Sequence, residues 1–427
     1  MADRPTSNET VQAARGPGTR EFIALMAALM ASNAMAIDSM LPALPAIGEA
    51  LGVGEENRRQ LVITVYLIGF GVAQLAYGPL SDRFGRKGLL LLALILYAGF
   101  GLLAGIASSF EMLLGARFLQ GVAAAATRVL VVSVIRDRYA GSGMARIMSI
   151  TMIIFMIVPV LAPSFGQAVL AIGNWRHIFL VLGAYGAILA VWLVARLPET
   201  LAPEHRRPLS LASVGEAIWL TLRIRQSIGN TLCQTLLMGA LFAFINSIQQ
   251  IVYDVYSRPE LIGIVFACIA GPMTISSYAN SKLVMRLGSR RILLAGLAGF
   301  TVIALIHLLV ASTVGERDIW TFVILQAATM SLFGLIGANS GALAMEPLGH
   351  VAGTASSVQG TITTIGGALI GFGIGQQFNE TTLPFLIGFT SCGAAALAVA
   401  HWANRPPAED IHSRREEAVQ ETISRPA

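Results

Sequence analysis

Charged residues are scarce in this chain of 427 residues. Only 12% of the residues are Asp, Glu, Lys or Arg, whereas 55% are hydrophobic. Soluble domains carry about 25% charged residues, so the composition excludes a soluble enzyme and places most of the chain in lipid. The high apolar content also excludes disordered and fibrous classes.

Residues that form metal sites, disulfides and catalytic clusters are equally sparse. The three cysteines are far apart, without a CxxC spacing, and we expect them to be small buried side chains. The six histidines lack ligand spacing, and neither HExxH nor a GxxxxGK[ST] loop occurs. We therefore expect no metal, no cofactor, no enzymatic activity and no ATP-driven transport.

Long apolar runs dominate what is present. A bilayer crossing needs about 20 mostly apolar residues, and twelve runs satisfy that requirement. The sequence thus predicts an all-α integral membrane protein with twelve transmembrane helices. The predicted spans are 22–47, 60–81, 88–108, 111–134, 144–170, 176–196, 228–253, 260–280, 291–312, 319–345, 350–375 and 382–402.

A polar, proline-containing gap between spans 6 and 7 divides the chain. The predicted division is an N-terminal tail (1–21), a six-helix half (22–196), a linker with an amphipathic helix (197–226), a second six-helix half (227–402) and a C-terminal tail (403–427). Lys and Arg number 22 on the side of the termini and five on the opposite side. This bias predicts that both termini are cytoplasmic, and it explains the net charge of +5 without a nucleic-acid partner.

Two loops indicate an internal duplication. The loop 78–87 follows span 2 and the loop 281–290 follows span 8, and the two match at an offset of 203 residues. The shared pairs are Leu80/Leu283, Arg83/Arg286 and Gly85/Gly288. A parallel duplication of this kind places a cavity between the halves near the membrane midplane.

The run from Gly78 to Lys87 resembles the signature loop of the major facilitator superfamily. Further motifs resemble its twelve-span drug/proton antiporters, namely Arg117-Phe-Leu-Gln-Gly121, Pro159-Val-Leu-Ala-Pro163 with Gly166, and Asp38 followed by Leu41-Pro-Ala-Leu-Pro45. The set is similar to the bicyclomycin/chloramphenicol-resistance branch, as are Arg136-Asp137, Leu197-Pro-Glu-Thr200 and Ala352-Gly-Thr-Ala-Ser356.

The resemblance implies a monomeric, multi-pass protein of the inner (plasma) membrane. It would export small, largely apolar compounds in exchange for protons by alternating access. Three departures from the family pattern stand out: Met285 replaces the loop acid in the second half, Val132 stands where many relatives carry an arginine, and span 1 has a single acid. Arg128 lies one helical turn before Val132, on nearly the same face.

Charges inside a bilayer are costly and mark functional candidates. Asp38 is the only carboxylate well inside a span, and Arg117 lies at a similar depth from the same side. We expect the two to pair, directly or through water, and to couple transport to protons, because a carboxyl whose surroundings change can bind and release a proton. The alternative is that Asp38 only pairs or caps at the bend made by Pro42 and Pro45.

Arg128, near the middle of span 4, is expected to attract polar or anionic substrates, unless it is a structural counter-charge. Other polar residues on cavity helices would contact substrate, although each alone is a weak signal. They are Asn33, Tyr66, Gln74, Asn246, Gln249, Tyr253 and Gln359.

The resemblance implies that the signature loop acts as a cytoplasmic latch, and the residues of this latch would be Gly78, Asp82, Arg83, Gly85, Arg86 and Asp137. Asp82 can face the N-terminus of span 11, while Arg83 and Arg86 can pair with Asp137. Orientation by positive charge alone would explain the basic residues but not Asp82. Pro159, Pro163 and Gly166 are expected to bend span 5, where spans 5 and 8 would meet spans 2 and 11; packing alone is the alternative.

Other functions remain open at this point. Within transport, the alternatives are proton- or sodium-coupled uptake and export of a specific metabolite or siderophore. A membrane sensor would need an added signalling domain, for which the 25 residues after Trp402 are too few. A membrane enzyme would need a reactive cluster.

Overall fold

The twelve apolar runs form helices. The structure is a computed structural model that describes residues 17–206, 211–315 and 318–405, and within these ranges it contains no β-strand. Its twelve helices long and apolar enough to cross a membrane, spans 1 to 12 below, are Thr19–Ala50, Glu56–Phe84, Arg86–Gly105, Phe110–Arg138, Arg146–Ile172, Trp175–Arg196, Arg225–Val255, Pro259–Leu287, Ser289–Val314, Ile319–Gly349, Ala352–Gly375 and Leu383–Ala403.

Predicted and observed span ends agree within seven residues, and the largest difference is at Leu287 in span 8. The prediction stopped at 280 because polar residues follow, but the helix continues through them to the turn at Gly288.

The helices pack as two groups of six. Within the first group, span 2 packs against span 4 and span 3 against span 6; within the second, span 7 packs against spans 11 and 12. The two groups, called halves below, meet where span 2 packs against span 11 and span 5 against span 8. The expectation that spans 5 and 8 would meet spans 2 and 11 is therefore corrected, because each of these helices packs on its counterpart in the other half.

Glycine allows the closest of these contacts. A Cβ atom at Gly121 of span 4 would overlap the backbone carbonyl of Tyr66 in span 2. A Cβ atom at Gly69 of span 2 would likewise overlap the carbonyl of Phe118. Only the absence of a side chain lets the two backbones approach so closely.

Three spans are interrupted. In span 1 the helix Thr19–Asp38 gives way to a 3-10 turn, Leu41–Ala43, and a short helix, Leu44–Ala50. Pro42 and Pro45 begin these two segments, and proline cannot donate the hydrogen bond that would continue the first helix. Span 7 is an α-helix over Arg225–Gln250 and ends in a π-helical segment, Ile251–Val255; span 10 breaks between Ile319–Ser331 and Phe333–Met345.

Both described termini lie at one end of the molecule, called the terminal end below. There Arg138, at the end of span 4, donates a hydrogen bond to the Pro17 carbonyl, and Arg225 donates one to the Arg405 carbonyl. The linker helix Leu211–Arg223 packs against span 11. The opposite end, where span 2 begins and span 11 ends, is called the far end.

Candidate functional site

Asp38 is a buried carboxyl group at the break in span 1. It is the last residue of the first helical segment, and the residue is only 4% exposed. Its Oδ1 atom has no hydrogen-bond partner, and no described residue forms an ion pair with it. A buried polar atom without a partner is costly, so this carboxyl lowers the stability of the fold.

Arg117 is fully buried, and its guanidinium binds backbone and amide oxygens rather than Asp38. Its guanidinium donates to the Ala36 carbonyl at 2.9 Å, the Val62 carbonyl at 3.2 Å and Gln120 Oε1 at 2.7 Å. No direct Asp38–Arg117 ion pair is therefore found among the described residues, while pairing through water stays a prediction. The physical reason is the break in span 1, because the last carbonyls of an interrupted helix lack intrahelical donors.

The aromatic ring of Tyr66 packs against the guanidinium of Arg117. The Arg117 guanidinium carbon lies 4.3 Å from the centroid of the Tyr66 ring, a cation–π arrangement. The Tyr66 hydroxyl donates to Asn33 Oδ1 at 2.8 Å. Asn33 and Tyr66, both expected in the cavity, therefore form part of the support around Arg117, and Tyr66 is fully buried.

Arg128 lies on the same face of span 4 as Arg117 but in different surroundings. The two are eleven residues apart, which is close to three full turns of a helix at about 3.6 residues each. Arg117 is fully buried, whereas Arg128 is exposed and forms no hydrogen bond or ion pair with a described residue. Within the described residues, the guanidinium of Arg128 therefore keeps free hydrogen-bond donors, whereas that of Arg117 is engaged.

Span 7 presents unpartnered amides. Asn246 is buried with both Oδ1 and Nδ2 unpaired, and Gln249 Nε2 is also buried and unpaired. One turn further on, the Tyr253 hydroxyl donates to the Pro42 carbonyl of span 1 at 3.4 Å. The amides thus lie just before the point where span 7 contacts the break in span 1.

Two of the expected cavity residues belong to helix packing instead. Gln74 of span 2 donates to Thr364 Oγ1 of span 11 at 3.0 Å and is 4% exposed. Gln359 donates to the Ala344 carbonyl at 3.2 Å within the second half. Helix contacts consume these amide groups, so in this conformation neither is offered to a substrate.

At the far end, four amide side chains join the two halves. We call Asn57, Gln60, Gln250 and Gln376 the amide clamp. Gln60 Nε2 donates to Gln250 Oε1 at 2.6 Å, and Gln250 Nε2 donates to Asn57 Oδ1 at 2.7 Å. Asn57 Nδ2 reaches the carbonyls of Gln376 and Phe378, and Gln376 Nε2 donates to the Asn57 carbonyl at 2.7 Å. The clamp closes the far end.

Hydrogen bonds between the halves stop well short of the terminal end. Gln74–Thr364 and Thr361–Gly71 are the last such bonds toward that end among the described residues. Gln74 precedes Phe84, the end of span 2, by ten residues, or about 15 Å at 1.5 Å per residue. The halves are therefore tied at the far end and less connected at the terminal end.

The signature loop is held by ion pairs on one arginine. Arg86 contacts Asp82 Oδ1 at 2.6 Å and Asp137 Oδ2 at 3.1 Å. Arg83 does not reach Asp137 and lies against the Phe84 ring at 5.3 Å, so the expectation that both arginines pair with Asp137 is corrected. Asp82 faces Arg86 rather than the start of span 11, because the interacting Arg86 side chain lies one turn away on its own loop.

Glu199, noted above only as part of the Leu197–Thr200 motif, completes this loop. Its carboxylate accepts hydrogen bonds from the backbone N–H groups of Arg86 at 2.8 Å and Lys87 at 3.2 Å, the first residues of span 3. Gly85, with a φ of 95°, supplies no capping side chain. A Cβ atom there would lie 2.6 Å from Glu199 Oε2. Glu199, which follows the end of span 6, thus caps the N-terminus of span 3.

The duplicated loop repeats the turn but not the cap. Gly288 has a φ of 75°, like Gly85. Nothing lies within 4 Å of the position of a Cβ atom at Gly288. The position 203 residues after Glu199 is Trp402. Among described residues the second loop thus lacks both the acid of Asp82, replaced by exposed Met285, and the cap of Glu199.

The remaining expected residues lie in or beside span 5. Its helix runs from Gly141 to Ile172 through both Pro159 and Pro163. Gly166 packs against the Ser39 carbonyl of span 1 within the same half. The neighbouring Gln167 donates to the Pro259 carbonyl at the start of span 8 at 3.0 Å. Gly78 of span 2 faces Ser357 of span 11, whose Oγ would lie 3.5 Å from a Cβ atom there.

Comparison with known proteins gives a consistent family. The family model described as Major Facilitator Superfamily matches residues 25–371. The "Uncharacterized MFS-type transporter YdgK" of Bacillus subtilis is 30% identical and covers 90% of this chain and 92% of its own. The "Bicyclomycin resistance protein homolog" of Haemophilus influenzae is 28% identical and covers 87% of this chain and 93% of its own.

Two further similarities extend this result. The "Chloramphenicol resistance protein" of Pseudomonas aeruginosa is 30% identical and covers 80% of each chain. Among solved structures, the human organic anion transporter MFSD10 (TETRAN) superposes with a TM-score of 0.64 at 16% identity, covering 91% of this chain and 100% of its own. At that identity the structural match supports the fold alone.

Proposed function

The chain belongs to the Major Facilitator Superfamily and is a multi-pass membrane protein, and on that premise we propose that it exports small, largely apolar compounds in exchange for protons. The observation that carries the proposal is Asp38, a buried carboxyl with an unpartnered oxygen at the break in span 1. Relatives named for bicyclomycin, chloramphenicol and multidrug resistance support export as the direction.

Asp38 is the proton carrier in this proposal, and Arg117 is a positioning residue. The guanidinium ties spans 1, 2 and 4 together through the Ala36 carbonyl, the Val62 carbonyl and the Tyr66 ring. Ala36 precedes Asp38 by two residues, so the arginine fixes the helix that carries the carboxyl. A conformational change that admits water to Asp38 from one end and then from the other would move a proton across the membrane.

Substrate binds in the cleft between the halves. Arg128 offers a free guanidinium, which binds carbonyl, phenolate or carboxylate groups through paired hydrogen bonds. Asn246 and Gln249 offer unpaired amide atoms on span 7, in the other half. The chemistry favours neutral or anionic amphiphiles over permanent cations.

Alternating access requires that the far end and the terminal end close in turn. The amide clamp closes the far end in the described conformation. When the halves close at the terminal end instead, Asp82 would leave Arg86 and approach the N-terminus of span 11, which attracts a negative charge. The far end would then open and release substrate.

The placement in the cell completes the proposal. With both termini cytoplasmic, the terminal end faces the cytoplasm and the far end faces outward across the inner membrane. The working unit is a monomer of two six-helix halves, 22–196 and 227–402, with tails at 1–21 and 403–427 and a linker at 197–226. Its ligands are protons and a small molecule, and it needs no nucleic acid.

Transport by the purified protein in proteoliposomes tests this function. We expect efflux of apolar test compounds against their gradient under an imposed pH gradient, and no such efflux by Asp38→Asn. Glu49→Gln, which changes an exposed carboxylate on the same span, is the matched control and should transport normally. Uphill efflux by Asp38→Asn at the wild-type rate, or driving by a sodium gradient in place of protons, would contradict the proposal.

A further inference from the structure

A cavity lies at the terminal end, and none of its wall residues has been assigned a role in transport. It has a volume of about 610 Å³ and is formed by the start of span 1, the end of span 4 and the start of span 5. Its walls include Arg20, Ile23, Tyr139, Arg146, Ile147 and Ile150. The size falls in the range of small-molecule sites, roughly 300–1,000 Å³.

No described residue neutralises the positive charge of this cavity. Arg20 and Arg146 are exposed, and neither forms an ion pair or hydrogen bond with a described residue. The nearest acids in sequence are already engaged: Glu21 pairs with Arg196 at 2.7 Å, and Asp137 pairs with Arg86. The cavity therefore favours an anion.

A further donor lies beside it. Arg138 precedes the wall residue Tyr139, and its Nη2 atom donates to the Pro17 carbonyl at 3.0 Å. Its Nη1 atom is buried and has no partner. Arg138 is not a wall residue, so its charge adds to the positive potential beside the cavity rather than a contact inside it.

An apolar stripe leads away from the cavity along span 5. From Ile150 it continues at helical spacing through Ile154, Ile157 and Leu161, which are 38%, 47% and 58% exposed. A free anion would gain nothing from contact with these apolar side chains. A molecule with an anionic head and a hydrocarbon chain contacts both features at once.

We propose that this cavity and stripe bind an anionic phospholipid. The phosphate lies between Arg20 and Arg146, which bind phosphate oxygens through paired hydrogen bonds. One acyl chain follows Ile154, Ile157 and Leu161 toward Ser164, where span 5 meets Gly263 of span 8. The lipid thus connects the terminal end of span 5 with its contact to the second half.

Native mass spectrometry of the protein released from nanodiscs tests the site. In nanodiscs of phosphatidylcholine with a minor fraction of phosphatidylglycerol, we expect one phosphatidylglycerol molecule to remain bound to the wild type. The double variant Arg20→Gln/Arg146→Gln should retain at least about tenfold less, since both charge-assisted contacts are lost. The control Arg290→Gln/Arg291→Gln removes the same charge from exposed residues at the start of span 9.

Three outcomes would overturn the proposal. Equal loss of lipid in both double variants would mean that only the overall surface charge matters. Displacement of the lipid by millimolar inorganic phosphate would show that the site takes a free anion. Lipid retention that appears only after residues 1–16 are removed would show that the chain itself occupies the cavity. Weaker retention in Ile157→Gln, with Ile306→Gln unchanged, would support the acyl-chain path.

Discussion

The amide clamp makes a quantitative prediction about the far end. Replacing Asn57 with Ala removes three hydrogen bonds between the halves: those to the carbonyls of Gln376 and Phe378, and that from Gln250. Each bond contributes about 0.5–1.5 kcal/mol net. The closed far end therefore loses about 1.5–4.5 kcal/mol, and at about 1.4 kcal/mol per factor of ten the open population rises by at least about tenfold.

Distances between nitroxide labels report this shift. Labels at Glu55 and Glu260, both exposed at the far end in opposite halves, would be measured by double electron–electron resonance. We expect a longer-distance population in Asn57→Ala. Asn379→Ala is the control, because Asn379 is exposed at the same end and its side chain only accepts a bond from Thr381. An unchanged distance distribution, or an equal change in the control, would refute the reasoning.

Three other predictions follow from the cleft and the loop. Arg128→Ala should weaken transport of neutral and anionic compounds, and Arg128→Lys should restore it in part. An assay that compares one lipophilic cation with one neutral amphiphile checks this. A wild-type preference for the cation would contradict it. Asp82→Asn should favour the conformation open at the terminal end, by about 0.3–1 kcal/mol, as seen by labelling single cysteines from each side; unchanged labelling would argue against the latch. Glu199→Ala should destabilise the fold by about 0.5–2 kcal/mol through loss of the cap, whereas Glu199→Gln should lose less; equal melting temperatures for all three proteins would rule out the cap.

Patterns that depend on neighbouring residues were predictable from the sequence. The twelve spans follow from apolar runs long enough to cross a bilayer. The matched glycines at 85 and 288 predicted a shared turn, and both have a positive φ. These features are local, so a single sequence contains them in full.

Contacts between distant residues were not predictable in the same way. Asn57 and Gln376 are 319 residues apart, and only the packing of span 2 against span 11 brings them together. The clamp residue Gln250 was not predicted at all, because the sequence analysis chose only its neighbour Gln249, and chose it for substrate contact. Matching depth in the membrane suggested an Asp38–Arg117 pair, but the break in span 1 gave the arginine backbone carbonyls to bind.

One signal for Glu199 was present in the sequence. Span 3 begins directly after Gly85, which has no side chain to cap the free N–H groups of the helix. A helix start of that kind needs an acceptor from elsewhere, and the segment after span 6 offers Glu199 behind a helix-ending proline, Pro198. Composition could not decide which acid fills the role, because Asp82 and Asp137 lie nearby.

The contacts at the two ends of the molecule differ in their chemistry. The amide clamp contains no titratable group, so its own hydrogen bonds do not change with pH. In the proposed mechanism, protonation would act through Asp38, since the turn after it accepts a hydrogen bond from Tyr253, which lies just beyond Gln250. At the terminal end the contacts of the signature loop are charged, since Arg86 pairs with Asp82 and Asp137 within the first half. In that mechanism, a neutral clamp at one end and a charged loop at the other would let the buried carboxyl of Asp38 connect proton binding to the opening of one end and the closing of the other.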